Sequence, residues 1–322
     1  MEESGSVRSD RPSHWGTPVI SHVRLPGHAA DWTSKDRAAV AARLGRHFRN
    51  QGFLFVHDHG IPADLIGDVY RETRRFYQLS PAEKNRYDAT EKSQFLGYRG
   101  LGRERSRTHD GTEACEQYRV GNTTDELPLP ASVDFYHAPF PRSLELFGHL
   151  TLLGDAILAA CALDLGLEED SFASCTAGGP LHRLGLNLYG ASHPTAAGPT
   201  TGFAMSPHID LSSLTILAQD EPGLEVRDTD GKWLVVPPAP GALFLFLGDY
   251  VQRWSNGRHR AAPHRVRAVH RNRMSVQYKH RPDYGTVVRP LGELTGPADP
   301  PAYGPFNTGP EYVAVLRSIL GR

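Results

Sequence analysis

The chain has 322 residues, 39% of them hydrophobic and 22% charged, the balance of a folded globular protein rather than a disordered one. A net charge of −1 and a pI near 7.0 provide no global field for a polyanion, so nucleic acid is not an expected partner and a small molecule is. Three widely separated cysteines, Cys115, Cys161 and Cys175, form no CxxC pair; they exclude a disulfide framework or a thiolate zinc site and fit a reducing compartment, the cytoplasm.

Residues 1–16 are polar, without an apolar signal core, and are expected to form a disordered tail. In TSKDRAAVAARLGRHFRN, Val40, Leu44 and Phe48 recur every four residues, with Thr33 or Ser34 as cap and Asp36 in the first turn: an amphipathic helix. A short strand follows at Phe53 to Val56, then a helix carrying Leu65, Val69 and Phe76. Ser80 and Glu83 stand in capping-box register, with Pro81 opening another short helix. Residues 90–112 are polar and rich in Gly and Arg, and are expected to be a loop. Its GLGRER fragment lacks the third glycine of a dinucleotide fingerprint and has no apolar strand before it. The most apolar window is 143–166, where Glu145, His149, Asp155 and Asp164 argue for a buried core helix and against a membrane span.

From about residue 180 the pattern changes to short strands. LHRLGLNLYG alternates, Asp230-Gly231 marks a hairpin, and GALFLFLGD is an apolar run expected of a strand buried on both faces. Gly248-Asp249 and Trp254 to Gly257 read as turn and packing residues. GPEYVAVLRSILGR closes the chain with a short helix over the strands. The fold class is α+β, with an all-β sandwich or barrel in the second half.

His208 and Asp210, in SPHIDLSS, share a face if this segment is extended, and an imidazole paired with a carboxylate suits a divalent metal. His259, His264, His270 and His280 are candidates for a third ligand, and composition does not choose among them.

WSNGRHRAAPHRV, with RMS downstream, resembles the second half of the iron(II)- and 2-oxoglutarate-dependent dioxygenases, in particular the subgroup built like isopenicillin N synthase. The likeness extends to GFLFVHDHGIPADLIGDVYRETRRFYQLSPAEKNRY, to EQYRVG and to the run from Gly223 to Gly257. It implies a distorted double-stranded β-helix, or jelly roll, with a helical N-terminal region at 17–120, a core at 121–290 that includes the long helix, and a C-terminal segment and helix at 291–322. It also implies that the third ligand is His264, 56 positions after His208, completing a His208, Asp210, His264 triad for Fe(II). Such a triad leaves three positions open, two for a chelating oxo acid and one for dioxygen.

Arg273 and Ser275 match the family's R-x-S pair. They share a strand face, and a guanidinium with a hydroxyl suits the distal carboxylate of the cosubstrate 2-oxoglutarate. Asn187 and Tyr189 match its N-x-Y strand and are expected near cosubstrate and metal. Where the family has proline directly after that tyrosine, YGASHP postpones it to Pro194. Arg119, Arg183 and Tyr98 are substrate candidates. Asp210 stands where a halogenase would have a small residue, so the implied chemistry is hydroxylation of a small molecule, with desaturation, epoxidation or ring closure as variants. A cosubstrate-independent oxidase and a non-catalytic ligand-binding barrel are the alternatives. Thirty arginines against five lysines suggest GC-rich bacterial coding, and with it specialised metabolism such as antibiotic biosynthesis. Nothing specifies an oligomer, and a monomer is the default.

Overall fold

The computed structural model describes residues 20–108, 110–128, 132–190, 202–269 and 271–321. The first half runs β1 (His22–Arg24), α1 (Ser34–Asn50), β2 (Phe53–His57), α2 (Ala63–Tyr77), α3 (Pro81–Asn85), β3 (Gly97–Arg99), β4 (Glu116–Gly121), α4 (Val133–His137) and α5 (Pro141–Asp164). The second runs β5 (Arg183–Tyr189), β6 (Phe203–His208), β7 (Leu214–Gln219), β8 (Leu224–Arg227), β9 (Trp233–Val235), β10 (Ala242–Leu247), α6 (Asp249–Trp254), β11 (His264–Arg267), β12 (Arg273–His280), β13 (Val287–Val288), β14 (Phe306–Asn307) and α7 (Thr308–Leu320). Reciprocal side-chain to backbone bonds cap α3 through Ser80 and Glu83, as their capping-box register predicts, and α1 through Thr33 and Asp36, which selects Thr33 over Ser34 as the cap.

Eight strands make one large sheet in the order β1-β2-β10-β7-β12-β5-β4-β3, antiparallel except for the parallel β1–β2 pair. Four more form a second sheet, β6-β11-β8-β9. Strand β10, and β2 up to its last residue His57, are apolar because they serve two layers. Leu54, Val56, Leu243 and Leu245 pack with Leu44, Phe48, Leu150 and Ile157 on the helical side. Phe53, Phe55, Phe244 and Phe246 pack with Leu224, Val226 and Val266 of the second sheet. The hairpin expected at Asp230-Gly231 joins β8 to β9.

Helix α5 is, among the described residues, the one helix long and apolar enough to cross a membrane. It lies against α1, α2 and the large sheet, with Leu146, Leu150, Leu153 and Ile157 buried. The C-terminal α7 packs Tyr312, Val313, Leu316 and Ile319 against Phe95, Leu127 and Leu181.

Four expectations are corrected. The 17–120 region is not only helical: it supplies β1 to β4 to both ends of the large sheet, and a boundary at 120/121 would cut β4. Residues 90–112 contain a 3-10 turn and β3, which pairs with β4 through Tyr98 and Tyr118. Asp249, expected in a turn with Gly248, instead opens helix α6, because Tyr250, Val251 and Trp254 bury one face of it; Trp254 packs and Asn256-Gly257, both with positive φ, turn the chain as expected. The long apolar element spans 141–164 instead of 143–166. The 1–16 tail and the delayed Pro194 lie outside the described residues.

Candidate active site

His208 ends β6 and faces His264, the first residue of β11, as its direct cross-strand partner. Asp210 lies two residues past the end of β6, beyond the strand that its spacing suggests, yet its carboxylate returns to the same point. His208 Nε2 is 3.4 Å and His264 Nε2 3.8 Å from Asp210 Oδ1. One ligand atom from each of the three lies within 4.8 Å of the others.

The imidazoles are oriented by their other nitrogens, His208 Nδ1 at 2.7 Å from the Ser206 carbonyl and His264 Nδ1 at 3.0 Å from that of Ala262. An Nδ1–H donated to a carbonyl leaves the Nε2 lone pair toward the carboxylate, the arrangement of metal-ligating histidines. Burial, with His208 beside it, brings the His264 imidazole down to about 3, so it is neutral at ordinary pH. Burial pushes the Asp210 carboxyl up, but Lys279, His264 and His208 hold it well below the usual carboxylate range. Asp210 accepts from Lys279 Nζ at 2.6 Å and from Thr215 Oγ1 at 2.7 Å. Two imidazoles and an ionised carboxylate form a donor set that fits Fe(II).

Beside the triad lies a chamber of about 130 Å³ between the two sheets, with α7 forming part of its wall. Arg273 is 1% exposed, donates to Gln219 Oε1 at 2.6 Å and to the Glu221 carbonyl, and lies 4.7 Å from the Tyr189 ring centroid. Its Nη1 is buried with no partner among the described residues. Ser275 is buried one step along the same face, and Asn187 Nδ2 donates to its hydroxyl at 3.3 Å. A buried guanidinium without a carboxylate, beside a hydroxyl, fits the far carboxylate of 2-oxoglutarate.

Arg119 and Arg183 also line the chamber. Arg119 lies over Gly185, where a Cβ would overlap Nη1 and the guanidinium would have to shift. Tyr98 does not reach the chamber. In β3 its neighbour Arg99 faces inward, so alternation turns Tyr98 to the helical side, where it donates to Glu116 at 2.9 Å and packs on Phe76. The other histidines considered for the triad are elsewhere: His259 is bonded to Asp164 at 2.8 Å and His280 to Asp155 at 2.9 Å, while His270 is outside the described residues.

The sequence reading misses Lys279, Arg281, Arg99 and Tyr312, all of which line the chamber. Continuing the two-residue step from Arg273 through Ser275 and Gln277 reaches Lys279 and Arg281. Nothing local marks Tyr312, which arrives from α7.

The chain resembles known proteins along most of its length. Residues 184–282 match the family model described as 2OG-Fe(II) oxygenase superfamily, and residues 18–138 match the one described as non-haem dioxygenase in morphine synthesis N-terminal. Flavanone 3-dioxygenase 2 of Oryza sativa subsp. japonica is 31% identical over 306 residues, covering 91% of this chain and 84% of the relative. Homoarginine-6-hydroxylase 2-ODD-233 of the same plant is 28% identical over 286 residues, covering 85% and 86%. Among solved structures, a full-length Neurospora crassa protein in complex with alpha-KG superposes with a TM-score of 0.76 at 22% identity, covering 93% of this chain and 96% of that one. The chain belongs to the 2OG-Fe(II) oxygenase superfamily. It is an Fe(II)- and 2-oxoglutarate-dependent dioxygenase, with Fe(II), 2-oxoglutarate and dioxygen as its cofactor and cosubstrates.

Proposed function

We propose that the protein hydroxylates an unactivated C–H bond of a small molecule, with desaturation, epoxidation or ring closure as variants of the same chemistry. The observation that carries this is the convergence of His208, Asp210 and His264 beside a buried Arg273 that has an unpaired N–H. In this reading the three side chains hold Fe(II), and Arg273 with Ser275 seats the far carboxylate of 2-oxoglutarate. Bound iron supplies oxygen activation, coupled to decarboxylation of 2-oxoglutarate to succinate and carbon dioxide.

The chain's own residues prepare that site. The Ser206 and Ala262 carbonyls fix the imidazole tautomers, and Thr215 and Lys279 fix the Asp210 carboxylate. Tyr189 lies against the Arg273 guanidinium, which holds it in place for a bidentate contact. The side chains of α7 help keep bulk water from the chamber. We read the two facing sheets as a distorted double-stranded β-helix. We also infer a cytoplasmic setting, from three free cysteines of which Cys115 and Cys161 are buried, and bacterial specialised metabolism, from the arginine-rich composition.

Oxygen uptake and succinate formation, measured with Fe(II) and 2-oxoglutarate together and with each left out, test this function. Succinate that requires both supports it. Oxygen uptake without succinate under every condition would overturn it.

A further inference from the structure

With the triad and Arg273 assigned, the chamber still holds positive charge that the protein does not neutralise. Arg119 on β4, Arg183 on β5 and Arg281 just beyond β12 are 9%, 2% and 6% exposed. Among the described residues their acceptors are carbonyls and amides, together with the Tyr312 phenol bonded to Arg183; none is a carboxylate. Arg119 donates to Asn187 Oδ1 at 2.8 Å and to Gln117; Arg183 donates to the carbonyls of Asn122 at 2.6 Å, His182 at 2.8 Å and Gln94 at 3.3 Å; Arg281 Nε donates to the Leu211 carbonyl at 2.7 Å. Arg183 Nε and Arg281 Nη1 are buried with no partner at all among these residues. Lys279, directly across from Arg183 in the β5–β12 register, is paired with Asp210 and does not add to this excess.

Carbonyls and amides offset only part of the cost of burying a guanidinium, and an uncompensated buried charge is strongly destabilising. The surroundings are nevertheless shaped to keep these groups in place. Gln94 and Phe95 both take left-handed backbone conformations, with φ of 51° and 61°, unusual for consecutive non-glycine residues, and this places the Gln94 carbonyl against Arg183. The Tyr312 ring lies 4.9 Å from the Arg281 guanidinium and 5.9 Å from that of Arg183.

We propose that Arg119, Arg183 and Arg281 form a subsite for an oxyanion group of the substrate, so that the molecule oxidised is an organic acid carrying a carboxylate or phosphate away from the reacting C–H bond. The inference rests on the oxygenase function above and deepens it. The subsite is distinct from the one assigned to 2-oxoglutarate. Arg273 pairs with Tyr189 and Lys279 with Arg183, at opposite ends of the β5–β12 ladder, about 20 Å apart along the strands. Arg119, bonded to Asn187 beside Ser275, lies between the two seats, and a substrate anion held at Arg183 and Arg281 therefore adds to a bound 2-oxoglutarate and does not replace it.

Calorimetric titration of the full chain, loaded with Mn(II) and saturated with 2-oxoglutarate, tests this with four probes: tricarballylate, its trimethyl ester, inorganic pyrophosphate and arginine. Tricarballylate or pyrophosphate is expected to bind about tenfold or more tighter than the neutral ester and the cationic amino acid, and the tighter of the two identifies the group as carboxylate or phosphate. Arg183→Met and Arg281→Met are each expected to weaken that anion about tenfold or more while leaving 2-oxoglutarate affinity within about twofold. Equal binding of acid and ester, or anions that displace 2-oxoglutarate instead of adding to it, would overturn the proposal. So would arginine variants that lose 2-oxoglutarate affinity to the same degree. If the variants do not fold, the acid and ester titrations of the unaltered chain decide alone. Anion binding by a protein that binds no 2-oxoglutarate leaves the anion subsite standing and refutes the cosubstrate assignment.

Discussion

Two clusters of two histidines and an aspartate lie on opposite sides of the β5–β12 strand pair, and they differ in how they are held. On the chamber side, His208, Asp210 and His264 meet; on the helical side, among leucines and Tyr278, so do Asp155, His182 and His280. In the helical cluster the ring nitrogens serve the fold: His280 Nε2 is bonded to Asp155 at 2.9 Å, and His182 Nδ1 accepts the Arg281 N–H at 3.0 Å. In the chamber both Nδ1 atoms are tied to carbonyls and both Nε2 atoms are turned to one carboxylate. Proximity of His and Asp is common to both. The second nitrogen's partner, which sets tautomer and direction, separates a ligand set from packed core histidines.

The largest expected effect follows from Asp210→Ala. It should abolish Mn(II) binding and succinate formation and, by leaving Lys279 buried without its partner, destabilise the metal-free protein by about 3–5 kcal/mol in urea unfolding. Adding Lys279→Met should recover much of that stability but none of the metal binding. Asp155→Ala, in the other cluster, should cost about 1 kcal/mol and leave Mn(II) affinity unchanged; a loss of affinity there would erase the distinction between the clusters. Next in size is Leu186→Ala on the apolar face, expected to cost about 2–5 kcal/mol of stability with 2-oxoglutarate affinity retained in the folded fraction. On the chamber face, Arg273→Met should do the reverse, weakening 2-oxoglutarate on the order of a hundredfold by calorimetry.

What is legible in the sequence is what strand alternation and local capping encode. Arg273 and Ser275, Asn187 and Tyr189, and His208 with Asp210 are each two residues apart, so a short window places both on one face, and the capping boxes at Thr33 and Ser80 are equally local. The choice of His264 needs the family likeness, because four histidines within 22 positions have no periodicity that separates them. Tyr98 falls on the side opposite to the one expected because a strand of three residues is too short for its phase to be read. The joining of β1–β4 to the large sheet and the entry of Tyr312 into the chamber depend on pairings between segments far apart in the chain, which no local pattern carries.

The smallest expected effect concerns Tyr312, where the two faces of the sheet differ in the sign of a shift. Burial pushes the helical-side Tyr278 phenol well up from its ordinary value. Burial acts the same way on Tyr312, but Arg183, Arg281, Arg99 and Arg119 bring it down to about 8 from an ordinary 10.0. A folded-state value below the unfolded one stabilises the fold above pH 10.0, and that contribution is lost as pH falls through about 8. An anionic ligand responds in the opposite direction. Below about pH 8 the phenol is neutral and the guanidiniums are free for the ligand, whereas above it a phenolate competes for them. Glu104, 3.6 Å from Arg99, is the carboxylate paired with this arginine cluster among the described ion pairs. Tricarballylate affinity should therefore fall as pH rises from about 7 to 9, by at most about tenfold per unit above the transition, and Tyr312→Phe should make the profile flat. A flat profile in the unaltered chain would mean that the phenol does not share the charge of the arginine cluster, and the anion would then have to lie on the side of Arg119 and Arg183 away from α7.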